Sequence, residues 1–262
     1  MSLESLFSLK GKTALVAGAS RGIGLAIARE LAAAGAHTVL ASRSIDKLRA
    51  EAEALNAAGY SAEAAELDMA SRESIQAVGA AWADKADILV NVAGRNVRKP
   101  METYSREEYE TILQTNIHSI FELTQLIGKG MRARGTGGKI INIGSLMSTH
   151  GVPYLSVYAI SKAGLAGLTR VLAAEWGPSN IQVNCIAPGF IITDINRDMW
   201  QPPEMHAWLQ ATQSIPRAGT PEDIAGLAVF LAAPASNYVT GQCIASDGGW
   251  TTTARWPFEP AQ

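Results

Sequence analysis

A tyrosine and a lysine four positions apart are the residues of this chain best suited to proton transfer. Tyr158 and Lys162 fall at positions i and i+4 of a predicted helix, so their side chains share one helix face. A neighbouring ammonium stabilises a phenolate and lowers the tyrosine pKa from its reference near ~10. Such a tyrosine can give a proton to a carbonyl oxygen or take one from an alcohol. Ser145 ends a predicted strand, where its hydroxyl can hold the reacting oxygen.

The same tyrosine–lysine spacing also occurs in ordinary pairs on exposed helices, so a second signal is needed. It comes from the glycines after the first predicted strand, Gly18-Ala-Ser-Arg-Gly-Ile-Gly24, which a helix-like segment follows. Glycines let the backbone turn tightly and approach a pyrophosphate, whose charge faces the helix N-terminus. The position in the first strand–helix turn favours a dinucleotide site over a plain glycine-rich turn. The residues expected to line it are Gly18, Ser20, Arg21, Gly22, Ile23 and Gly24.

The end of the second predicted strand indicates which dinucleotide is bound. An acidic residue there would hold the ribose 2′-hydroxyl of NAD, but this chain reads Leu40-Ala-Ser-Arg43. Ser42 and Arg43 suit a 2′-phosphate, and Arg21 can add a second positive charge. The sequence therefore predicts NADP(H) in preference to NAD(H). A hydride would then pass between the nicotinamide and the carbonyl carbon of a small-molecule substrate.

Short apolar runs that alternate with segments of helix length must position these groups. Apolar strands separated by helices are typical of a parallel sheet that helices cover on both faces. We therefore predict a single-domain α/β Rossmann fold, a doubly wound parallel sheet of about seven strands that begins 3-2-1-4-5. The predicted strands are Thr13–Ala17, Thr38–Ala41, Ala62–Leu67, Ile88–Val92, Lys139–Ile143, Ile181–Ile186 and Gln242–Ala245, and the clearest helices are Gly24–Ala34, Ile45–Ala58 and Ser105–Met131.

The stretch 194–215 interrupts this alternation after the sixth strand. It contains Trp200, His206 and Trp208 together with two consecutive prolines. Ligands of doubly wound sheets bind beyond the carboxyl ends of the strands. The stretch is therefore a candidate substrate lid.

The composition excludes several classes of function. Lys plus Arg is 22 and Asp plus Glu is 24, a net charge of −2, which provides no basic surface for nucleic acid or for a membrane anchor. Three long stretches lack charged residues, but each contains polar residues or proline that a lipid-facing helix could not accommodate. No secretory signal precedes residue 11, both cysteines lie in apolar runs, and no histidine has metal-ligand spacing. We expect a cytoplasmic protein without a catalytic metal.

Taken together, these motifs resemble those of the short-chain dehydrogenase/reductase family over nearly the whole chain. The resemblance rests on the glycine motif, Asp68, Asn91-Val-Ala-Gly94, Asn116, Ser145, Tyr158-x₃-Lys162, Pro188-Gly189 and Thr193. It implies a Ser-Tyr-Lys-Asn tetrad in which Asn116 holds a water that supplies protons through Lys162. It also implies that Lys162 and Tyr158 contact the cofactor, and that the protein is a homotetramer built from the segments 105–131 and 157–176 and the last helix and strand. The further cofactor contacts that it implies are Asp68, Asn91, Ala93, Gly94, Pro188, Gly189, Ile191 and Thr193.

Two positions depart from the family pattern. Ala17 stands where the glycine motif usually begins with Thr, and Val92 replaces the second Asn of the fourth-strand motif. Because strands one and four are expected to be neighbours, we interpret the two as a linked exchange of a hydrogen bond for packing.

The substrate is indicated by the basic loop Arg95-Asn-Val-Arg98-Lys99 after the fourth strand. A basic loop beside the transferred hydride can hold a carboxylate, although it can also be a solvated surface loop. It resembles the loop of sugar-acid dehydrogenases such as gluconate 5-dehydrogenase, which implies a sugar acid or polyol as substrate. The predicted substrate residues are Arg95, Arg98, Met147, His150, Tyr154 and Trp200.

Two alternatives stay open at this point. The chain resembles 3-oxoacyl-[acyl-carrier-protein] reductases almost as well, although the segment before strand six, Gly177-Pro-Ser-Asn180, lacks their basic residue. A non-catalytic NADP-sensing protein on the same fold is the alternative of another class, and the complete tetrad argues against it. The direction and stereochemistry of the reaction, and the role of the tail 251–262, are not determined by the sequence.

Overall fold

The computed structural model describes residues 2–194 and 196–253, and most of the C-terminal tail lies outside these ranges. Its seven strands are all parallel and form one sheet in the order β3-β2-β1-β4-β5-β6-β7, which confirms the predicted architecture. The strands are β1 (Thr13–Ala17), β2 (His37–Ser42), β3 (Ser61–Glu66), β4 (Ile88–Asn91), β5 (Gly138–Ile143), β6 (Ile181–Pro188) and β7 (Cys243–Ser246).

Helices connect the strands and cover both faces of the sheet. The long helix predicted over 105–131 is in fact two helices, α5 and α6, joined by a π-helical turn at Gln114–His118. A Ser105–Glu108 capping box begins α5, and Gly135, with φ of 68°, ends α6. The helices are α1 (Leu3–Phe7), α2 (Gly22–Ala33), α3 (Ile45–Ala57), α4 (Arg72–Trp82), α5 (Arg106–Leu113), α6 (Ser119–Arg134), α7 (Ser156–Trp176), α8 (Pro203–Thr212) and α9 (Glu222–Ala232).

The core consists of one large apolar cluster on each face of the sheet. Side chains of α2, α3 and α9 meet one set of strand residues, and those of α4, α6 and α7 meet the alternate set. Strand residues alternate between the faces because successive side chains of a strand point in opposite directions. The central strands are therefore buried on both sides, which explains their unbroken apolar sequences.

The interpretation of Ala17 and Val92 as a packed pair is wrong. Ala17 belongs to the cluster beneath α4, α6 and α7, whereas Val92 packs against the cluster beneath α2 and α9. Their contact is through the backbone, where the Val92 N–H donates to the Ala17 C=O over 2.9 Å. The two positions lie on neighbouring strands as predicted, but their side chains point to opposite faces.

The strand order reverses between β1 and β4, which opens a crevice at the carboxyl edge of the sheet. The described part of the stretch 194–215, which was predicted to be a lid, contains a short 3-10 turn, Asp198–Trp200, followed by α8. Within the described residues no helix is long and apolar enough to cross a bilayer, and no three side chains of His, Cys, Asp or Glu converge as metal ligands.

Candidate active site

Ser145 follows β5 and caps a single 3-10 turn at the carboxyl edge of the sheet. The Gly144 N–H donates to the Ile186 C=O over 2.7 Å, which keeps the end of β5 attached to β6. The Ser145 hydroxyl accepts from the Met147 N–H at 3.2 Å, and the Ser148 hydroxyl accepts from the Ser145 N–H at 3.2 Å. This reciprocal capping fixes the position of Ser145.

Tyr158 and Lys162 lie on the first turns of α7 and pack against the end of β5. The Lys162 Nζ lies 5.7 Å from the centre of the Tyr158 ring and donates to the Ile143 C=O over 2.7 Å. Only 2% of Lys162 is exposed. The Ser148 hydroxyl donates to the Lys162 C=O over 3.1 Å, which ties α7 to the turn that carries Ser145.

The acidity of Tyr158 is governed mainly by burial. Burial raises the pKa of Tyr158, while a hydrogen bond with Ser145 and the positive charge of Arg98 act to lower it. Burial also lowers the pKa of Lys162 to about 8, because the amine is removed from water and its one bonded partner is a neutral carbonyl. The expected lowering of the Tyr158 pKa is therefore not seen in this structure, because burial outweighs Ser145 and Arg98, the two groups that act to lower it.

Asn116 lies in the π-helical turn between α5 and α6, which projects its side chain toward the end of β4. Its Oδ1 accepts from the Arg95 N–H at 2.8 Å, and its Nδ2 donates to the Arg95 C=O at 2.9 Å. Gly94 lies between this amide and Lys162, since an added Cβ would be 3.4 Å from the Lys162 Nζ and 3.6 Å from the Asn116 Oδ1. Asn116 therefore joins the predicted Ser-Tyr-Lys group and fixes the loop after β4 beside it.

The glycine turn after β1 is too close to its neighbours to carry side chains. Gly18 has a φ of 101°, and an added Cβ would lie 2.8 Å from the backbone N of Ala93. A Cβ on Gly24 would overlap the carbonyl oxygen of Gly18. Gly22 faces Thr193, whose Cγ2 would lie 3.2 Å from an added Cβ. The glycine turn, the loop after β4 and the segment after β6 therefore enclose one crevice.

The N-terminus of α2 opens on this crevice. Arg21 occupies the cap position in an extended conformation and makes no side-chain capping hydrogen bond, so the first N–H groups of the helix can meet an anion. Ser20 is half-buried and Arg21 is exposed, whereas Ile23 packs against the core and can contribute only its backbone. Backbone donors, the positive helix end and glycines at the closest approaches of the turn together fit a pyrophosphate.

The ends of β2 and β3 carry the residues predicted for the adenosine half of the cofactor. The Arg43 Nε lies 3.9 Å from an Asp68 carboxylate oxygen, and the Arg43 side chain is exposed. Asp68 also accepts from the Ala70 N–H at 2.9 Å, and the Ser42 hydroxyl accepts from the Ser44 N–H at 3.2 Å. Arg43 thus lies at the rim of the site with its position limited by Asp68.

Asn91 is directed into the core rather than into the crevice. Its side chain is fully buried, and its Nδ2 donates to the Thr124 Oγ1 at 3.0 Å and to the Asn142 Oδ1 at 2.9 Å. The Asn142 Nδ2 in turn donates to the Thr169 Oγ1 at 2.9 Å. These four side chains link β4, β5, α6 and α7. Any contact of Asn91 with a cofactor is therefore limited to its backbone.

The residues after β6 lie across the crevice from the glycine turn. Pro188 ends β6, and the Gly189 N–H donates to the Ser246 C=O over 3.0 Å, which attaches this turn to the end of β7. Ile191 is buried, and Thr193 contacts the glycine turn at Gly22. The structure thus brings the predicted residues after β6 to the same crevice as those after β1 and β4.

The basic side chains of the loop after β4 differ in whether they form an ion pair. The Lys99 Nζ lies 2.7 and 2.9 Å from the two carboxylate oxygens of Glu108, whereas Arg95 and Arg98 are exposed and form no ion pair within the described residues. The loop is held to Tyr154, whose C=O accepts from the Lys99 N–H at 3.1 Å. Tyr154 has a φ of 69°, a costly conformation for a bulky residue of the kind that occurs at functional sites.

An aromatic group lies beside these residues, and sequence reasoning identified it only in part. The ring of Phe190 meets those of Trp200, Trp208 and Trp250 edge-on, with centroid distances of 5.8, 4.9 and 5.5 Å. Trp250 also meets the His150 ring at 6.0 Å. Phe190 and Trp250 were missed, although each follows the carboxyl end of a strand, and that placement was the available signal.

A small apolar cluster joins the aromatic group to Tyr158. Met147 is buried with Leu146 and Leu155, and the side chains packed against them include Tyr158, Phe190 and Trp250. Met147 therefore forms the base of the site rather than an open contact. His206 is exposed on α8, outside the ring contacts.

Comparisons with known proteins agree with this geometry. A family model described as enoyl-(acyl carrier protein) reductase matches residues 18–251. A 2-dehydro-3-deoxy-D-gluconate 5-dehydrogenase from Bacillus subtilis is 42% identical over 95% of this chain and 98% of its own. A tropinone reductase homologue from Arabidopsis thaliana is 38% identical over 96% of each. The structure of a gluconate 5-dehydrogenase from Burkholderia cenocepacia, in complex with NADP and tartrate, superposes with a TM-score of 0.92 at 34% identity and covers 97% of this chain and 100% of its own.

Proposed function

The chain belongs to the short-chain dehydrogenase/reductase family, and we propose that it is an NADP(H)-dependent enzyme that interconverts a secondary alcohol and a ketone on a sugar acid or polyol. Its class is an oxidoreductase that acts on CH–OH groups. The observation that carries the proposal is the convergence of Ser145, Tyr158 and Lys162 at one edge of the sheet, with Arg95 and Arg98 unpaired beside them.

The cofactor fits the crevice between the glycine turn and the residues after β6. When bound, NADP(H) accepts or supplies the hydride. The glycine turn and the N-terminus of α2 would hold the pyrophosphate, and Arg21, Ser42 and Arg43 would meet the 2′-phosphate. The NADP in the related Burkholderia structure supports this assignment.

Residues of this chain donate or accept the proton that is transferred together with the hydride. In the direction of ketone reduction, the Tyr158 hydroxyl donates its proton to the substrate oxygen, which the Ser145 hydroxyl holds. Because burial raises the pKa of Tyr158, the phenol stays protonated at neutral pH and is ready to donate. Oxidation of the alcohol requires the phenolate, so we expect it to accelerate as the pH rises. Asn116 holds the loop in place, and Lys162 lies below the phenol ring.

Replacement of Tyr158 by Phe tests the role of the phenol. We expect Tyr158→Phe to lower kcat by about 10²–10⁴-fold, the usual contribution of a general acid, with the Kd for NADPH unchanged. Tyr60→Phe, at a partly exposed tyrosine before β3, is the matched control. A Tyr158→Phe variant that keeps its activity would refute the mechanism. Binding of NADPH without turnover of any carbonyl would instead favour the NADP-sensing alternative.

The cofactor preference depends on Arg43. We expect kcat/KM with NADPH to exceed that with NADH, and Arg43→Ala to reduce this ratio by about tenfold, as loss of a charge-assisted contact worth about 1.4 kcal/mol would. Arg49→Ala, at an exposed arginine of α3, is the control. A preference for NADH in the wild type would contradict the assignment.

The unpaired arginines favour an anionic substrate. Arg98 lies close enough to Tyr158 for its charge to lower the pKa of the phenol, so a carboxylate held by Arg98 would lie near the reacting oxygen. Met147, His150, Tyr154 and Trp200 complete the proposed substrate side, and residues 194–215 form its lid. A 3-oxoacyl-[acyl-carrier-protein] reductase remains the second candidate, because a related structure with 31% sequence identity and a TM-score of 0.89 bears that description. Activity on 3-oxoacyl thioesters alone would establish that candidate.

We also propose that the protein is a homotetramer. Phe121 of α6 and Ile160 and Val171 of α7 are each about half exposed, at 50%, 49% and 54%, which is unusual for large apolar side chains on packed helices. A second copy of the same helices would cover them. Analytical ultracentrifugation at assay concentration tests this, and a monomer would refute it.

A further inference from the structure

Four separate segments of the chain contribute to what we call the aromatic wall, defined as His150, Phe190, Trp200, Trp208 and Trp250. His150 follows β5, Phe190 follows β6, Trp200 and Trp208 belong to the lid, and Trp250 follows β7. Each ring contacts at least one other ring edge-on, and the centroids of the two rings are 6.0 Å apart or less. Such contacts fix the rings relative to one another.

The wall borders the reacting groups directly. Tyr158 packs against the apolar cluster of Leu146, Met147 and Leu155, and Phe190 and Trp250 pack against the same cluster. A substrate whose oxygen lies at the Tyr158 hydroxyl therefore has an apolar and aromatic surface on one side. On the other side is the basic loop with the unpaired Arg95 and Arg98.

This combination disfavours one part of the proposed substrate class. An acyclic, fully hydroxylated sugar acid has a hydroxyl on nearly every carbon, and each one needs a hydrogen-bond partner when it leaves water. The side chains of the small cluster offer none. The donors of the wall are few, and two of them, the indole N–H groups of Trp200 and Trp250, are buried without a partner among the described residues. On this side of the site a row of hydroxyl groups would therefore lack partners, because the exposed polar groups lie on the other side with Arg95 and Arg98.

We propose that Trp250 is a specificity-determining residue that selects oxo and hydroxy acids with an apolar face, either a carbon ring or deoxygenated carbons, over acyclic sugar acids that are hydroxylated throughout. The apolar face stacks on Trp250 and Phe190, the carboxylate meets Arg95 and Arg98, and the reacting oxygen meets Tyr158. This inference rests on the proposed function, because it assumes oxidoreduction of an anionic substrate at that site.

Three alcohols separate the contributions of ring and charge. They are 3-hydroxycyclohexanecarboxylate, gluconate and 3-methylcyclohexanol, each assayed with NADP⁺ for kcat/KM. We expect the cyclic acid to exceed gluconate by at least about tenfold, the lower end of what one apolar group contributes in a binding pocket. We expect the neutral cyclic alcohol to show a raised KM, because it lacks the carboxylate.

Two variants of Trp250 test its role. Trp250→Ala should lower kcat/KM for the cyclic acid about tenfold more than it lowers kcat/KM for gluconate, so that the discrimination is lost. Trp250→Phe keeps an aromatic face and removes the N–H, and it should retain most of the discrimination even if Trp250→Ala folds poorly. Trp82→Phe, at a tryptophan on the opposite edge of the sheet beside His37, is the matched control.

The outcomes distinguish this inference from the proposed function. The inference would be overturned, and the proposed function would stand, if kcat/KM for gluconate exceeded that for the cyclic acid. The same holds if neither Trp250 variant changed the ratio of the two kcat/KM values. Failure of all three alcohols, with activity on 3-oxoacyl thioesters, would overturn both. The expected ratio, together with its loss in Trp250→Ala, would support the inference and the oxidoreduction of an anionic substrate on which it rests.

Discussion

Lys139 of β5 is a buried lysine with no ion pair within the described residues, and it makes a quantitative prediction possible. Its Nζ donates to the Asn237 Oδ1 at 2.9 Å and to the Ser236 Oγ at 3.2 Å, and only 9% of the residue is exposed. Burial lowers the pKa of Lys139 from 10.5 to about 8. At about 1.36 kcal/mol for each unit of pKa, the charged form destabilises the fold by about 3 kcal/mol at pH 7.

Replacement of Lys139 by Met should therefore stabilise the protein at neutral pH. Methionine has a similar length, the exposed Asn237 can bond to water, and the Ser236 hydroxyl keeps its bonds to the Leu231 and Ala233 carbonyls, at 2.9 and 3.0 Å. Lost hydrogen bonds offset part of the gain, so we expect about 1–3 kcal/mol. At roughly 2–4 °C per kcal/mol for a chain of this size, Tm should rise by several degrees.

The pH dependence of the stability difference tests whether the charge of Lys139 is its cause. Between pH 8 and 10.5 the unfolded chain binds more protons than the folded chain, so the stability of the wild type rises with pH across this window. The advantage of Lys139→Met should be constant below pH 8 and shrink toward pH 10. Urea unfolding at pH 7, 8, 9 and 10 measures it, with Lys129→Met at an exposed lysine of α6 as control. A difference that does not change with pH, or a less stable Met variant at pH 7, would refute the reasoning.

Three other changes test separate parts of the structure. Gly24→Ala places a Cβ against the Gly18 carbonyl oxygen, so we expect a lower Tm and a loss of NADPH fluorescence enhancement; binding as in the wild type would contradict the close packing. The pKa of Cys243 is lowered to about 7 by its hydrogen bond with Cys185, whose own pKa is raised by that bond and by burial. Iodoacetamide at pH 7.5 should therefore label Cys243 first in peptide mapping, and equal labelling would count against this. Asn116→Ala leaves two backbone groups without their partner and should lower kcat by more than tenfold, roughly the effect of an unpaired group worth about 1.4–3 kcal/mol, with Kd for NADPH nearly unchanged.

The sheet could be predicted from the sequence because the order of its strands and the position of its crevice follow from local patterns. Apolar runs, glycine spacing and the Tyr158–Lys162 pair depend on neighbours in the chain, and each predicted strand overlaps the observed one with small differences at the ends. The π-helical turn at Asn116 was not predicted, since the phase shift that one extra residue causes in the apolar pattern is a weak signal in so short a helix.

The directions of the side chains and the charges around them could not be predicted from the sequence. Asn91 was expected in the crevice, but it points to the other side of its strand, where Thr124 and Asn142 satisfy its amide N–H groups. The acidity of Tyr158 was assigned to Lys162 from helical spacing, whereas burial and Arg98 act on it from distant parts of the chain. The spacing of two residues shows that they are close together, but it does not show which other groups shift their pKa values.

The two hydrogen bonds between Asn116 and Arg95 have a consequence for how such a protein can diversify. The amide of Asn116 binds the N–H and the C=O of Arg95, as a residue of an adjacent strand would, and so holds the chain four positions after the end of β4. The segment from there to the start of α5 can therefore change in length and charge without breaking these two bonds. Under the proposed function, exchange of this one segment would change the groups that face the substrate while Asn116 keeps its place.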